Sequence, residues 1–276
     1  MPASPLITVM INAARKASRA IRRDFGEVES LQVSQKGPAN FVTRSDQRAE
    51  QTIREELLKA RPQWSFLMEE SGRIDGVDTG HCWIVDPIDG TTNFIHGIPH
   101  FAISIALRRA DEIIAGIIYN PITDELFAAE RGRGAYLNDR RMRVAARRDM
   151  HDAVIAGGIP HFGRGDHVQF RRELARVQAR AAGIRQFGAA ALDLAFVAAG
   201  RFDGYWERGL KAWDIAAGIV IVREAGGMAG DIDGAPDVLA TGDIMAANSE
   251  LYPRIAQELA AARRPSQSEE TAEMRS

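Results

Sequence analysis

Residues 84–92 read IVDPIDGTT and place two aspartates, Asp86 and Asp89, three positions apart after an apolar run. The run, residues 82–85, is typical of a buried strand. An uncompensated carboxylate at the end of such a strand is costly, so it becomes neutral or acquires a partner. Because a turn needs only one of the two aspartates, the pair predicts a partner that offsets both charges.

The chain of 276 residues is long enough for one large domain or two moderate ones, with 45% hydrophobic and 26% charged residues. A formal net charge of -2 and a pI of about 6.3 indicate no general basic surface for nucleic acid. Arginines do cluster locally, although a solvated face explains such clusters more often than a nucleic-acid patch. The clustered positions are Arg140, Arg141, Arg143, Arg147, Arg148, Arg171 and Arg172.

The single cysteine, Cys82, excludes an intrachain disulfide and is typical of a reducing compartment. No stretch of about 18 apolar residues indicates a membrane span. Near the N-terminus, arginines alternate with apolar residues, unlike the separate charged and apolar regions of a signal peptide. We therefore expect a soluble cytoplasmic protein without membrane association.

The pattern of secondary structure changes part-way along the chain. Residues 5–25 and a segment that begins near residue 45 have the apolar periodicity of helices. Short apolar runs between residues 101 and 137 predict an antiparallel meander, and from about residue 150 strands and helices alternate as in α/β folds. We expect an N-terminal α+β domain over residues 1–149, an α/β domain over residues 150–263, and a disordered polar tail over residues 264–276.

Further acidic residues follow or begin other predicted elements. Glu69 follows the short strand of residues 65–68, whereas Asp46 and Asp214 begin helices. Ligands collect beyond strand ends in open sheets, and converging acids would repel one another unless cations lay among them. Each acid also has a simpler explanation: Asp46 and Asp214 as helix N-caps, and Glu69 as part of a solvated loop. The set indicates a metal site more strongly than any one member does.

The available ligand types indicate a hard cation. The sequence has no cysteine and histidine set at the spacing of a zinc site. His96 and His100 lie four residues apart, but Gly97 and Pro99 between them argue against a helical pair. Carboxylate oxygens favour Mg²⁺, for which Mn²⁺ can substitute. The Gly-Thr-Thr of residues 90–92 offers backbone N–H groups and hydroxyls suited to a phosphate.

Two long motifs, WIVDPIDGTTNFIHGIP (residues 83–99) and WDIAAGIVIVREAGG (residues 213–227), resemble those of the inositol monophosphatase family. ISIAL and EES accompany them, and the likeness extends from about residue 13 to about residue 259. Residues 188–214 are most similar to the bacterial SuhB-type branch. The resemblance implies a layered αβαβα sandwich, usually a homodimer, and a Mg²⁺-dependent, lithium-sensitive phosphatase.

The resemblance also implies a ligand set for two or three Mg²⁺ ions. Glu69, Asp86 and the backbone carbonyl of Ile88 would hold the first ion. Asp86 would bridge to a second ion, completed by Asp89 and Asp214. A third, weaker ion would lie near Glu69.

Catalytic and substrate-binding roles follow from the same resemblance. Thr91, in contact with Asp46, would orient a metal-bound water that attacks phosphorus, and Glu69 would share in catalysis. The N–H groups of Gly90 and Thr91 would hold phosphate oxygens, and Lys36 would lie on a mobile loop near the site. The positions that match contacts to inositol hydroxyls are Asp89, Ala190, Glu207 and Asp214.

Two positions depart from the family pattern: Met68 stands where glycine is common, and Ala189 where serine or threonine is common. We expect the second change to remove one polar contact near the pocket. The expected reaction is hydrolysis of inositol monophosphate or a similar polyol phosphate. Alternative substrates are fructose-1,6-bisphosphate, histidinol phosphate and 3′-phosphoadenosine 5′-phosphate. A non-catalytic role as an RNA or transcription-complex partner is a further alternative, with the arginine clusters as its local support.

Overall fold

The computed structural model describes residues 4–25, 33–37, 40–163 and 165–263, and of residues 33–37 and 40–42 it describes the backbone alone. The α-helices of these segments are α1 (Pro5–Phe25), α2 (Arg44–Ala60), α3 (Thr91–Ile95), α4 (His167–Gln178), α5 (Ala190–Ala198), α6 (Ala212–Glu224), α7 (Val238–Thr241) and α8 (Tyr252–Ala261). The strands are β1 (Val33–Gly37), β2 (Asn40–Thr43), β3 (Trp64–Met68), β4 (Gly72–Ile74), β5 (Asp78–Asp89), β6 (Ala102–Arg109), β7 (Glu112–Asn120), β8 (Glu125–Glu130), β9 (Ala135–Leu137), β10 (Arg140–Arg141), β11 (Val154–Gly157), β12 (Gly183–Arg185), β13 (Gly204–Glu207), β14 (Met228–Asp231) and β15 (Ile244–Ala247).

Two mixed sheets form the framework, beside a hairpin of β1 and β2. The larger sheet has the order β10-β9-β8-β7-β6-β5-β3-β4, in which β3 and β5 form the one parallel pair. The predicted meander is therefore confirmed, because β6 to β9 pair as successive antiparallel neighbours. The smaller sheet has the order β12-β11-β13-β15-β14, with parallel pairing of β12, β11 and β13.

The layers follow from the alternation of side chains along the strands. On β5, Trp83 and Val85 pack towards α1 and α2, whereas Cys82 and Ile84 pack towards α5 and α6. On β13, Tyr205 faces α5 and α6, and its neighbour Trp206 packs in a third core with α4 and α8. The sequence of layers is helices, sheet, helices, sheet, helices. The predicted αβαβα sandwich is confirmed.

The middle layer is apolar on almost every side, since α5 and α6 lie between the two sheets. By contrast, α1 buries one face and exposes the other. Among the described helices, none combines the length and apolar character needed to cross a membrane. Because α5 and α6 pack on both sheets, the division into domains near residue 149 stays a prediction. The predicted tail over residues 264–276 lies outside the described residues.

Close approach of α6 to β7 depends on Gly116. A Cβ atom at this position would lie 2.8 Å from Val220 Cγ1 and 2.9 Å from Ala217 Cα. Both contacts are shorter than packed carbon atoms adopt, and the second is to helix backbone that cannot rotate away. The absence of a side chain at Gly116 therefore lets α6 pack this close to β7. Helix α6 carries one of the candidate metal ligands.

We expect Gly116→Val to lower the free energy of unfolding by about 1–3 kcal/mol, because it overpacks the interface between α6 and β7. Urea denaturation measures the change. Ala146→Val, at an exposed position, is the matched control and should change stability by less than about 0.5 kcal/mol. Equal stability of the two variants would contradict the close packing described here.

Candidate active site

An irregularity at the end of β5 brings Asp86 and Asp89 to one cavity. Residues three apart on a regular strand point to opposite faces of a sheet. Here the pairing with β6 shifts between Asp86 and Asp89, where Pro87 cannot donate a ladder hydrogen bond. Ile88 N–H instead donates to Asp86 Oδ1 at 2.9 Å. Both carboxylates consequently line the same cavity.

The third carboxylate of the cluster comes from α6. Oxygen atoms of Asp86, Asp89 and Asp214 lie within 4.8 Å of one another. Lys211 N–H donates to Asp214 Oδ2 at 2.8 Å, and Ala191 N–H donates to Asp89 Oδ2 at 2.9 Å. Backbone donors at the N-terminal ends of two helices thus hold two of the three carboxylates in place.

The simple N-cap interpretation of Asp46 and Asp214 is wrong. Thr43 and Lys211 are the N-caps of α2 and α6, and each aspartate lies three residues later, inside the first turn. There it accepts a hydrogen bond from the N-cap backbone, at 2.8 Å in both helices. The aspartates therefore help to begin the helices and also stand beside the cavity.

Glu69 joins the cluster through the parallel pairing of β3 with β5. Glu69 N–H donates to Val85 O at 3.2 Å, which places Glu69 beside Asp86 at the strand ends. The Glu69 side chain is half-buried and lines the cavity, so the solvated-loop interpretation is wrong. Ile88 lines the same cavity, and its carbonyl accepts a hydrogen bond from Thr91 Oγ1 at 3.0 Å.

Burial makes this cluster costly in its ionised state. It raises the pKa of Asp86 well above the usual range, and repulsion by Glu69, Asp89 and Asp214 raises it further. The pKa of Asp89 is raised in the same way, by burial first and then by Asp214. A set of converging oxygen ligands with this charge suits a hard divalent cation, so the residues present fit the metal that the sequence predicts.

A glycine and a hydroxyl follow the cluster at the start of α3. Gly90 has φ +90°, and a Cβ atom there would lie 3.1 Å from Ala189 Cβ and 3.2 Å from His100 O. Besides its bond to Ile88 O, Thr91 Oγ1 lies 3.3 Å from Asp46 Oδ1. Burial raises the pKa of Asp46 to about 6, although Thr43 donates to it. The predicted contact of Thr91 with Asp46 is therefore present.

Glu207 on β13 lines the same cavity as the acidic cluster, a cavity of about 660 Å³. Tyr205 Oη donates to Glu207 Oε2, and burial raises the pKa of Glu207 to about 8. Ala190 also lines this cavity, and Ala189 begins α5 without a side-chain cap, as expected for an alanine at this place. The Lys36 side chain lies outside the described residues.

Comparisons with known proteins agree with this geometry. The sequence profile of the inositol monophosphatase family matches residues 3–267. The chain belongs to this family. It is 58% identical to an inositol-1-monophosphatase of Mesorhizobium japonicum over 248 residues, 90% of this chain and 93% of the relative. It is 41% identical to the Nus factor SuhB of Escherichia coli K12 over 244 residues, 88% of this chain and 91% of the relative.

A solved structure of a bacterial relative has the same fold as this chain. The extragenic suppressor protein suhB from Bartonella henselae superposes with a TM-score of 0.90 at 55% identity, covering 93% of this chain and 98% of that chain. The likeness in fold thus extends over nearly the whole chain.

Sequence reasoning missed several side chains that line the cavity of this family member. His100 was considered only as half of a metal-binding pair, and Phe187, His161 and Lys211 were not singled out. Asn93 of α3 lies within the motif of residues 83–99 and is buried although it is polar. Its Nδ2 donates to His100 O and Phe187 O, both at 2.7 Å, and so ties two walls of the cavity together.

In metal-free protein, Asp86→Asn should become increasingly more stable than the wild type as pH rises. The folded state raises the pKa of Asp86 above its unfolded value of about 3.9. The contribution of this carboxyl to the free energy of unfolding is therefore complete below the unfolded pKa, and it is lost as pH rises through the folded pKa. Asparagine has no such loss. Urea unfolding in the presence of a chelator at pH 5 and pH 8 measures the difference.

The control for this comparison is Asp111→Asn, at an exposed carboxylate. Its stability relative to wild type should not depend on pH in this range. A difference between Asp86→Asn and the wild type that stays constant from pH 5 to pH 8 would contradict the electrostatic description of the cluster.

Proposed function

We propose that this protein hydrolyses phosphate monoesters of small polyols, and that its substrate is myo-inositol monophosphate, which it converts to inositol and phosphate. The observation that carries the proposal is the convergence of three carboxylates within 4.8 Å beside a cavity that Glu207 also lines. A phosphate monoester needs charge neutralisation and in-line positioning, which a cation site beside an alcohol pocket can supply. The name of the Mesorhizobium relative supports the choice of inositol.

The metal we propose is Mg²⁺, with two to three ions per chain, Mn²⁺ as a substitute, and sensitivity to lithium. Glu69, Asp86, Asp89, Asp214 and the carbonyl of Ile88 would hold these ions. When bound, such ions neutralise phosphate oxygens and lower the pKa of water. The oxygen-only donor set and its closely spaced carboxylates support this assignment.

The protein's own groups then orient the reactants. Thr91 Oγ1 lies 3.0 Å from Ile88 O and 3.3 Å from Asp46 Oδ1 and has one proton for these two acceptors. When the hydroxyl donates to Asp46, its lone pairs would accept a hydrogen bond from the attacking water. The N–H groups of Gly90 and Thr91, at the start of α3, would bind phosphate oxygens. The residues proposed to contact hydroxyls of the alcohol are Asp89, Ala190, Glu207 and Asp214.

Asp89→Asn and Asp214→Asn should each lower kcat about 100-fold or more at saturating Mg²⁺, because each removes a charged metal ligand. Both variants should keep the fold, since asparagine Oδ1 can still accept the backbone hydrogen bond. Phosphate release and circular dichroism measure the two properties. Asp111→Asn is the control, and near-normal kcat in both cluster variants would disprove the metal-site assignment.

Among small phosphates, we expect the highest kcat/KM with myo-inositol monophosphate. The comparison set is fructose-1,6-bisphosphate, histidinol phosphate and 3′-phosphoadenosine 5′-phosphate, measured as Mg²⁺-dependent phosphate release. Glu207 and Asp89 line the cavity and offer acceptors to a ring of hydroxyls. If none of the compounds is hydrolysed, the proposal of a phosphatase fails; if another compound is preferred, only the choice of inositol fails.

Two further properties belong to the proposal. We propose a homodimer, supported by apolar side chains near the cavity that remain exposed, above all Phe162 at 83% and Ile159 at 46%. We also propose a cytoplasmic location, supported by the single, buried, unpaired Cys82. Light scattering of the purified protein tests the first property.

A second candidate role is partnership with RNA or a transcription complex. The name of the Escherichia coli relative favours it, together with a groove of about 430 Å³ in this chain that is lined by arginines. The arginines of the groove are Arg141, Arg143, Arg147 and Arg148. Rescue of a deletion strain by the inactive Asp214→Asn variant would support this role, and failure of rescue would leave hydrolysis as the function.

A further inference from the structure

A histidine that lines the cavity and a buried aspartate face each other. His100 Nε2 lies 3.7 Å from Asp193 Oδ1, which is within ion-pair distance but longer than a good hydrogen bond. Neither atom has another hydrogen-bond partner among the described residues, and both are buried. Because unpaired buried polar atoms are rare in folded proteins, these two atoms are best understood as partners of each other.

The two residues come from elements that also hold the metal cluster. Asp193 lies in the first turn of α5, two residues after the Ala191 N–H that donates to Asp89. His100 lies on the loop before β6, and its carbonyl accepts a hydrogen bond from Asn93 on α3. The imidazole ring is therefore fixed relative to the acidic cluster by backbone contacts on both sides.

Aromatic rings restrict the orientation of the imidazole. The Phe187 and Phe196 rings lie 4.9 Å and 5.6 Å from the His100 ring, the second at a T-shaped 78°. The His100 side chain is 16% exposed and lines the cavity. No described residue hydrogen-bonds Nδ1, and it is absent from the buried, unpaired atoms, so this nitrogen is the accessible one.

The carboxylate of Asp193 selects the proton position on the ring. An imidazole whose Nε2 faces a carboxylate carries its proton on that nitrogen, and the other nitrogen then presents a lone pair. That lone pair can accept a hydrogen bond from an O–H donor. It does not suit a phosphate dianion, which has no proton to donate.

We propose that His100 is a specificity-determining residue that accepts a hydrogen bond from a hydroxyl of the substrate's alcohol portion, and that Asp193 is the positioning residue that orients it. The inference rests on the proposed hydrolysis of polyol phosphates and extends it. Asp89 and Glu207 offer acceptors on the same cavity. A ring alcohol that carries several hydroxyls satisfies all three acceptors, whereas an aryl phosphate satisfies none of them.

The test compares two substrates in two variants. His100→Phe keeps a ring between Phe187 and Phe196 but removes the acceptor, and Asp193→Asn keeps the size of its side chain but removes the charge. For inositol monophosphate, kcat/KM should fall about tenfold in His100→Phe, mainly through KM. For p-nitrophenyl phosphate, which has no other hydroxyl, it should change less than about twofold. Asp193→Asn should show the same selectivity with a smaller loss.

A double variant and a control sharpen the result. If Asp193 acts through His100, the double variant should lose no more than His100→Phe alone. His96→Phe changes an exposed histidine on the same loop that does not line the cavity, and both substrates should react as with wild type. Thermal unfolding identifies a variant that does not fold. If His100→Phe does not fold, the kinetics of Asp193→Asn decide the question alone.

Three outcomes would overturn the inference. Equal losses for both substrates in folded variants would make the pair structural, and unchanged kinetics for both would make it irrelevant to the substrate. Neither outcome touches the proposed hydrolysis. A wild-type protein that hydrolyses p-nitrophenyl phosphate but no polyol phosphate would instead overturn the proposed substrate, and the inference with it.

Discussion

Mutual repulsion among buried carboxylates is the constraint on which the rest of the site depends. Asp86, Asp89 and Asp214 hold oxygen atoms within 4.8 Å of one another, and burial, followed by repulsion within the cluster, raises the pKa of the first two. A fold retains such an arrangement only if another interaction offsets the repulsion. Divalent cations do so, and the same cations are what hydrolysis of a phosphate monoester needs.

The scaffold holds the carboxylates by neutral donors. Backbone N–H groups of Ile88, Ala191 and Lys211 each donate to one oxygen of the cluster. These donors fix the direction of each side chain without neutralising its charge, so the attraction for a cation remains. Their positions depend in turn on the irregular end of β5 and on the first turns of α5 and α6, which lie in the apolar middle layer.

Local chemistry explains which parts of this arrangement the sequence predicted. Asp86 and Asp89 could be singled out because a strand followed by Asp-Pro-Ile-Asp is a local pattern, and the meander followed from alternating runs and turns. Asp214 lies 125 residues after Asp89, so its convergence with the pair came only from the resemblance to a family. Its place inside the first turn of α6, rather than at the N-cap, depends on where the chain enters the helix, which periodicity does not determine.

The pairing of His100 with Asp193 shows more clearly that local sequence patterns do not predict contacts between distant residues. Ninety-three positions separate the two residues, and neither has a local signature, since His100 follows a proline in a loop and Asp193 stands in an alanine-rich helix. Tertiary packing between α5 and the loop before β6 brings them together. Glu207 was likewise found by resemblance alone, because β13 is a strand of four residues whose apolar pattern is short.

Calorimetric titration of metal-free protein with Mg²⁺, repeated in buffers of different ionisation enthalpy, tests the central claim most directly. Carboxyls with raised pKa must lose their protons before they can bind a cation, so binding should release protons. For the wild type, we expect uptake of two or more ions per chain with measurable proton release near pH 7. For Asp86→Asn, we expect neither uptake at the wild-type affinity nor this proton release. Absence of Mg²⁺ uptake at millimolar concentration, or uptake without proton release, would contradict the account.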